Sequence, residues 1–154
     1  IINTFDYKAF TLSFLLNYQI GGKIYDGNYV GLMSTNSYGK SYHVDAMKAW
    51  TTTNTTSDIP RLDQANSNNI NAASTRWLTS ASYFSIQNVN FQYRLPSSLL
   101  NKIDLSTARV FFTGENLALF SKRKGMNPTE SFDGSVSSTY LPTRIFSIGV
   151  NVGF

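Results

Sequence analysis

The chain has 154 residues, of which 42% are hydrophobic, 14% aromatic and only 14% charged, whereas an average domain is about 25% charged. The net charge of +4 is small and scattered, which excludes the clustered basic surface of a nucleic-acid-binding protein. Cysteine is absent, so disulfides and thiolate metal sites are excluded, and no run of about 18 apolar residues exists to form a transmembrane helix.

The first predicted strand covers residues 7–20 and has one apolar face. Its apolar positions are Phe10, Leu12, Phe14, Leu16 and Tyr18. Alternation with period two is the pattern of a β-strand. The length exceeds the roughly 5–6 residues of an average strand and suits the roughly 9–11 residues that a tilted strand needs to cross a bilayer.

Residues 21–79 are predicted to form a long polar loop, rich in Asn, Ser, Thr and Gly. Structureless loops beyond about 12–15 residues are uncommon in compact domains, so the segment is interpreted as a disordered insert or a large functional surface loop. Its Trp50 and Trp77, with Tyr140 of the second long loop, are candidate contacts to a substrate or partner, because aromatic faces stack on sugars.

The second and third predicted strands cover residues 83–95 and 108–120, joined by a short connection that begins at Pro96. The apolar face of the second strand is carried by Val89, Phe91 and Tyr93. Aromatic residues that could contribute to girdles at the membrane interfaces, several of them near predicted strand ends, are Tyr7, Tyr18, Phe91, Tyr93, Phe112 and Phe120. Core packing in a soluble sandwich is the alternative.

A second polar loop, residues 121–142, precedes the fourth predicted strand, residues 143–154. The apolar positions of this strand are Phe146, Ile148, Val150, Val152 and Phe154. A terminal aromatic residue after alternating apolar residues is typical of the signal that the barrel-assembly machinery recognises, and an exposed strand can dock by adding to a sheet edge. An ordinary amphipathic strand is the alternative.

The order of connections, long, short and long, is that of a transmembrane barrel with short periplasmic turns and longer extracellular loops. If Phe154 lies at the periplasmic rim, both long loops fall outside the cell. Four strands alone leave two open edges, and each unpaired backbone group in hydrocarbon costs several kcal/mol. The fold class is therefore predicted to be all-β, an antiparallel transmembrane β-barrel completed by strands outside this sequence.

Five segments, in this order, resemble the C-terminal region of SusC/RagA-type TonB-dependent transporters. They are Trp50-Thr51 with Asn54 and Pro60-Arg61; residues 88–96 (NVNFQYRLP); residues 109–117 (RVFFTGENL); residues 124–130 (KGMNPTE); and residues 140–144 (YLPTR) with 149–154 (GVNVGF). Two departures are Thr129, inserted between Pro128 and Glu130, and Ser85, where the family usually has an arginine.

The resemblance implies a multi-pass barrel of about 22 strands in the outer membrane of a Gram-negative, Bacteroidota-type bacterium, of which this chain would be the last four strands. It also implies an N-terminal plug outside the sequence, energy from TonB, and a SusD-like lipoprotein that captures an oligosaccharide or peptide over the extracellular mouth. The implied partners are the rest of the barrel, that lipoprotein, TonB, the barrel-assembly machinery and outer-membrane lipid.

Enzymatic function is not expected. His43 is the only histidine, and the carboxylates are dispersed, so neither a catalytic triad nor a multi-histidine metal site can be assembled. Side-chain oxygens that could bind calcium, though without the spacing of a calcium-binding loop, belong to Asp58, Asp63, Asn66, Asn68 and Asn69. No cofactor is predicted. The rival hypothesis is a soluble or secreted β-sandwich that binds carbohydrate or mediates adhesion, because its composition would be similar.

Overall fold

The computed structural model describes residues 1–35, 39–67, 69–102, 104–131, 133–137 and 140–154. The chain forms two compact units. The strand unit comprises Ile1–Gly21, Ala81–Gly125 and Tyr140–Phe154, and the loop unit comprises Gly22–Ser80 and Met126–Thr139.

The strands are, in chain order, β1 (Ile2–Tyr7), β2 (Phe10–Gln19), β3 (Lys23–Asp26), β4 (Leu78–Ser80), β5 (Tyr83–Arg94), β6 (Thr107–Ser121), β7 (Ser135–Val136) and β8 (Ile145–Gly153). The α-helices are α1 (Gly27–Met33) and α2 (Ser97–Leu100), and short 3₁₀ helices cover Val44–Lys48, Thr75–Trp77 and Pro128–Glu130. None of the helices in the described ranges is long and apolar enough to cross a membrane.

The strand unit is one antiparallel sheet in the order β1-β2-β5-β6-β8. This sheet thus has five strands among the described residues, and the prediction of four strands is wrong. The predicted first strand corresponds to β2, which begins three residues later than predicted, and β1 is an additional strand that forms a hairpin with it, in which Tyr7 pairs with Phe10 across a turn at Lys8 and Ala9. Lys8 adopts a left-handed φ of 55°, a conformation that favours glycine or asparagine, so the local sequence gives no turn signal. The other three predicted strands are present within about two residues.

The register of the sheet changes at one level of its central strands. Between β2 and β5, Leu15 pairs with Asn88 but Leu16 pairs with Ile86, so β5 has one extra residue. The register of β5 with β6 shifts at the same level, where Asn116 has a left-handed φ of 52°. Such bulges change which residues of a strand share a face.

The loop unit is built from both of the predicted loops. Its sheet has the order β4-β3-β7, and the parallel pairing of Tyr25 with Ser135 and of Asp26 with Val136 joins the first loop to the second. Residues 21–79, predicted as a long polar loop, thus include β3, α1, two short 3₁₀ helices and the start of β4 and belong to a compact unit, which favours the large surface loop over the disordered insert.

The core of the loop unit explains why these polar segments fold. Trp77 and Met33 are each 2% exposed and Ala46 is 7% exposed, and the Trp77 indole N–H donates a hydrogen bond to the Ala72 carbonyl at 2.8 Å. Asp26 caps α1 by accepting a hydrogen bond from the Tyr29 backbone N–H at 2.9 Å. A few large residues far apart in sequence thus supply the packing.

Candidate functional site

The sheet of the strand unit has one apolar face and one polar face. Directly paired residues of antiparallel strands project to the same side, so the register assigns each row of side chains to a face. One row across all five strands consists of Phe5, Leu12, Phe91, Phe112 and Ile148. The adjacent row, on the opposite face, consists of Thr4, Ser13, Asn90, Thr113 and Ser147.

The residues predicted to face lipid are brought together on the apolar face. They are Phe10, Leu12, Phe14, Leu16 and Tyr18 of β2 with Val89, Phe91 and Tyr93 of β5. Six of these residues form three direct cross-strand pairs, Phe10–Tyr93, Leu12–Phe91 and Phe14–Val89. The rings of Phe10 and Tyr93 lie 4.8 Å apart. Contact with lipid itself remains a prediction.

The predicted assembly segment extends the apolar face at its edge. The segment consists of Phe146, Ile148, Val150 and Val152 on β8 and Phe154 immediately after it. Ile148 pairs with Phe112, and it remains 78% exposed. Recognition of this segment by the assembly machinery stays a prediction.

Aromatic residues outside these two sets complete the apolar face, and of these Tyr7 and Phe120 were predicted for the aromatic girdles. Phe5 and Tyr7 lie on β1. Phe84 of β5 pairs with Tyr18 of β2 and with Phe120 of β6. The rings of Phe84 and Phe120 stack with centroids 6.2 Å apart. The alternation of residues 2–7 and the even-numbered apolar residues Phe84 and Ile86 at the start of β5 were the available signals.

The polar face carries a network of side-chain hydrogen bonds. The Thr11 hydroxyl donates to Asp6 Oδ1 at 2.5 Å, Asn90 Nδ2 donates to Thr113 Oγ1 at 2.7 Å, and Gln92 Nε2 donates to Asn90 Oδ1 at 2.8 Å. Two of these hydrogen bonds join neighbouring strands and the third links two residues of β5, so the polar side chains of this face satisfy one another.

Every charged residue within the five described strands lies on the polar face. The set is Asp6, Arg94, Arg109 and Glu115. The apolar face therefore carries no charge over its whole described width. A charge near the middle of a bilayer is unfavourable by about 2–4 kcal/mol for Arg or Lys, so this distribution is the one that a membrane-spanning sheet requires.

Two glycines of β8 lie opposite side chains of β6 that occupy the space of a Cβ atom on the polar face. Gly149 pairs with Phe111, whose ring covers the position that a Cβ atom at Gly149 would occupy. Gly153 meets Thr107 in the same way, because a Cβ there would lie 2.6 Å from Thr107 Oγ1. Substitution of either glycine would displace its neighbour.

The three loop aromatic residues have different environments. Trp77 belongs to the core of the loop unit and is 2% exposed, so the structure does not leave it available to a substrate or partner, which corrects its predicted role. Trp50 is half-buried, and its backbone N–H donates to the Ile59 carbonyl at 2.8 Å. Tyr140 is 84% exposed. The prediction of loop contacts therefore stands for Trp50 and Tyr140 alone.

A small electrostatic cluster stabilises the loop unit around Asp45. The hydrogen bond from Lys48 Nζ, at 2.8 Å, is the main cause that lowers the pKa of the Asp45 carboxyl. The Tyr29 hydroxyl also donates to this carboxylate at 3.1 Å, and His43 Nδ1 lies 3.2 Å from it. Apart from the exposed Lys48, the members of the cluster are half-buried, and their groups are paired with one another.

Two of the suggested calcium ligands, Asp63 and Asn66, accept hydrogen bonds from the chain itself, and one lies outside the described residues. Asp63 accepts backbone hydrogen bonds from Ala65 at 3.0 Å and Ser67 at 2.9 Å, and the hydrogen bond from the Ser67 hydroxyl is the main cause that lowers its pKa. Asn68 is outside the described residues. In the described ranges no group of three or more His, Asp or Glu side chains could hold a metal ion.

Comparison with known proteins identifies relatives along almost the whole chain, although no family model matches it. TonB-dependent receptor P3 of Formosa agariphila is 30% identical over 163 residues, which covers 99% of this chain and 16% of the receptor. TonB-dependent receptor P39 of the same organism is 28% identical over 162 residues, covering 99% of this chain and 15% of that receptor. The chain thus spans about one sixth of the length of these curated relatives.

Solved structures share the fold. The structure of the RagAB peptide transporter superposes with a TM-score of 0.80 at 22% identity, covering 97% of this chain and 16% of that one. The RagAB peptide importer in its closed-closed state gives a TM-score of 0.80 at 23% identity, covering 96% of this chain and 16% of that one.

The class follows from the fold and the two-faced sheet: the chain is part of an antiparallel β-barrel of the RagA type. More particularly, it is a homologue of the TonB-dependent receptors, and the resemblance to SusC/RagA transporters is confirmed. TonB-dependent receptors and RagA are outer-membrane β-barrel proteins. These relatives are receptors and transporters rather than enzymes.

Proposed function

We propose that this chain is the C-terminal part of an outer-membrane, TonB-dependent importer of an oligosaccharide or peptide that acts with a SusD-like surface lipoprotein. The observation that carries the proposal is the apolar face, which crosses five strands without a charge while every strand charge lies on the other side. In this proposal the apolar face contacts outer-membrane lipid and the polar face lines the lumen.

The dimensions of the apolar face suit a bilayer. Phe10 and Tyr18 are separated by eight steps of β2, or about 26 Å along the strand. A strand tilted by about 40° converts this length into about 20 Å of height, close to the apolar band of about 25 Å in membrane barrels. The aromatic rows at Phe10–Tyr93 and Tyr18–Phe84 then fall near the two interfaces.

The topology supports an orientation. Gln19, Tyr83 and Ser121 are neighbours in the register, so both long connections leave the same end of the sheet, and the short turns lie at the other. We assign the long connections to the extracellular side and the Lys8 turn to the periplasm. The SusD-like lipoprotein and substrate would then meet loop residues, among which Trp50 and Tyr140 are the proposed contacts.

The open edges imply further strands. Within the described residues, β1 and β8 are each paired on one side only, and unpaired backbone groups in hydrocarbon are strongly unfavourable. The rest of a barrel of about 22 strands would cover them. The plug and the segment that contacts TonB would lie elsewhere in the polypeptide, and the β8 segment would engage the assembly machinery.

The apolar face argues against a soluble sandwich. In a sandwich a second sheet would cover this face, but Phe112 is 47% exposed, Val150 64% and Ile148 78%. The cargo class rests on relatives alone: RagAB is named a peptide transporter, while the sequence relatives are named only as TonB-dependent receptors.

Spin-label accessibility tests the proposal in the receptor that contains this chain, reconstituted in lipid vesicles. The sequence has no cysteine, so Leu12→Cys and Ser13→Cys each add one labelling site to it, on opposite faces of β2. We expect the label at position 12 to be accessible to oxygen dissolved in lipid, and the label at position 13 to a water-soluble nickel complex. Phe112→Cys and Thr113→Cys repeat the comparison on β6. Equal or reversed accessibility within both pairs would contradict the proposal.

A further inference from the structure

Two arginines lie directly opposite each other on the polar face. Arg94, the last residue of β5, pairs with Arg109 of β6, and Asn151 of β8 continues the row. The backbone around the pair is fixed, because Arg94 N–H donates to Ala9 O at 2.8 Å and Leu95 N–H donates to Ala108 O at 2.9 Å. Both side chains are exposed. The register thus places the two arginine side chains directly opposite each other on one face of the sheet.

Neither guanidinium has a counter-charge among the described residues, since no carboxylate lies within 4.0 Å of either. The nearest acidic residue of the sheet by register is Asp6, two rows away and on β1, where it accepts a hydrogen bond from Thr11. Like charges directly opposite each other on a sheet are destabilising. An arrangement of this kind is stabilised when an anion binds both groups.

We propose that Arg94 and Arg109 together bind a carboxylate of a polypeptide segment that lies against the polar face. This inference rests on the proposed function, in which that face lines the lumen. The row lies one step beyond the Phe10–Tyr93 row, at the short-turn end of the sheet, and hence at the periplasmic rim of the lumen. Guanidinium groups bind carboxylates through two parallel hydrogen bonds, and two adjacent guanidinium groups give the site its selectivity for an oxyanion.

A carboxylate of the same receptor is the favoured ligand. The chain spans 16% of the relative TonB-dependent receptor P3, so most of such a polypeptide lies outside it. A tethered group has an effective concentration on the order of millimolar, whereas a free small anion at a hydrated rim is weakly bound and screened by salt.

Photo-cross-linking in the complete receptor in outer-membrane preparations tests the proposal. Asn151→p-benzoylphenylalanine places the probe next to Arg109 in the same row, and mass spectrometry identifies the linked peptide. We expect a cross-link to a segment rich in Asp or Glu. The pair R94Q and R109Q should lower its yield about tenfold, the effect of losing about 1.4 kcal/mol of charge-assisted hydrogen bonding. E115Q, a charge change on the same face and strand, should leave the yield unchanged.

The outcomes separate the site from the proposed function. A cross-link to phospholipid instead of polypeptide would show that the polar face does not line the lumen, and so would overturn both. An unchanged polypeptide cross-link in the R94Q and R109Q receptor, which must keep its folded electrophoretic mobility, would overturn the site alone. Absence of any polypeptide cross-link, with inorganic phosphate protecting the arginines from phenylglyoxal, would show a site for free oxyanions and also overturn it.

Discussion

An arginine introduced at Val89 or at Asn88 tests the assignment of the two faces most directly. These neighbours lie in the middle of β5, the central strand, and they project to opposite faces. Val89 lies midway between the aromatic rows, so Val89→Arg places a charge near the proposed bilayer midplane. Asn88 pairs with Glu115, so Asn88→Arg adds the same charge beside a carboxylate.

The expected magnitudes differ widely. An arginine facing lipid at the midplane destabilises a membrane barrel by about 2–4 kcal/mol, which lowers the ratio of folded to unfolded receptor roughly 30- to 900-fold. An arginine opposite Glu115 gains a cross-strand ion pair of about 0.2–1 kcal/mol. We therefore expect Asn88→Arg to change stability by less than about 1 kcal/mol.

Urea unfolding of the receptor in lipid vesicles, followed by the mobility shift between folded and unfolded bands, measures both effects. Val89→Leu controls for altered packing and should be changed by less than about 1.5 kcal/mol. Equal destabilisation by the two arginines, or a larger effect at position 88, would refute the assignment of faces and with it the barrel proposal.

Three further predictions concern the loop unit and the β6–β8 pair. Trp77→Ala should destabilise the loop unit by about 3–5 kcal/mol, seen as faster limited proteolysis within it; a rate equal to the wild type would argue against its core role. Gly149→Ala should destabilise the pairing of β6 with β8, because the new methyl group meets the Phe111 ring, and adding Phe111→Ala should recover most of the loss; additive effects in this double-mutant cycle would contradict the contact. The lowered pKa of Asp45 means that its charged form stabilises the fold above about pH 3.8 and that this contribution is lost as the pH falls through the lowered value. Lys48→Gln should flatten that dependence in amide hydrogen exchange, and an unchanged profile would exclude the ion pair as its source.

The faces of the sheet were predictable because a period of two maps directly onto two sides of a strand. The alternation of Leu12 and Phe14 with Ser13, and of Ile148 and Val150 with Gly149, assigns these residues without knowledge of their neighbours. The register then brings them into common rows. Local pattern and tertiary pairing agree here because both respond to the same difference in polarity.

The first strand was missed because its local signals are weak. Residues 2–7 are few, they include Asn3 and Asp6, and the turn that follows is made by Lys8 in a left-handed conformation. Only the pairing with β2 makes this segment a strand. Recognising it required the partner, since a hairpin without a glycine or asparagine turn carries no local marker.

The loop unit was not predictable for a related reason. Its sheet depends on Tyr25 pairing with Ser135, more than a hundred residues away in sequence, and its core depends on Trp77 meeting Met33. Each segment alone is polar and short of apolar residues. Long-range contacts supply the stability of this unit, and the composition of residues 21–79 does not reveal them. The polar composition therefore indicated a loop, and Trp77 was interpreted as a surface residue.

The bulge in β5 shows why strict alternation misleads even within a well-predicted strand. After the bulge, the odd-numbered Val89 and Phe91 occupy the apolar face, whereas before it the even-numbered Phe84 and Ile86 do so, through their pairs Tyr18 and Leu16. Without the extra residue, Phe84 and Ile86 would project from the polar face, and the polar residues between and after them would lie on the apolar face. The interruption of the ladder is therefore what keeps the apolar face continuous from one aromatic row to the other. In the proposed barrel, this bulge would keep polar side chains out of lipid at the expense of local regularity in the ladder.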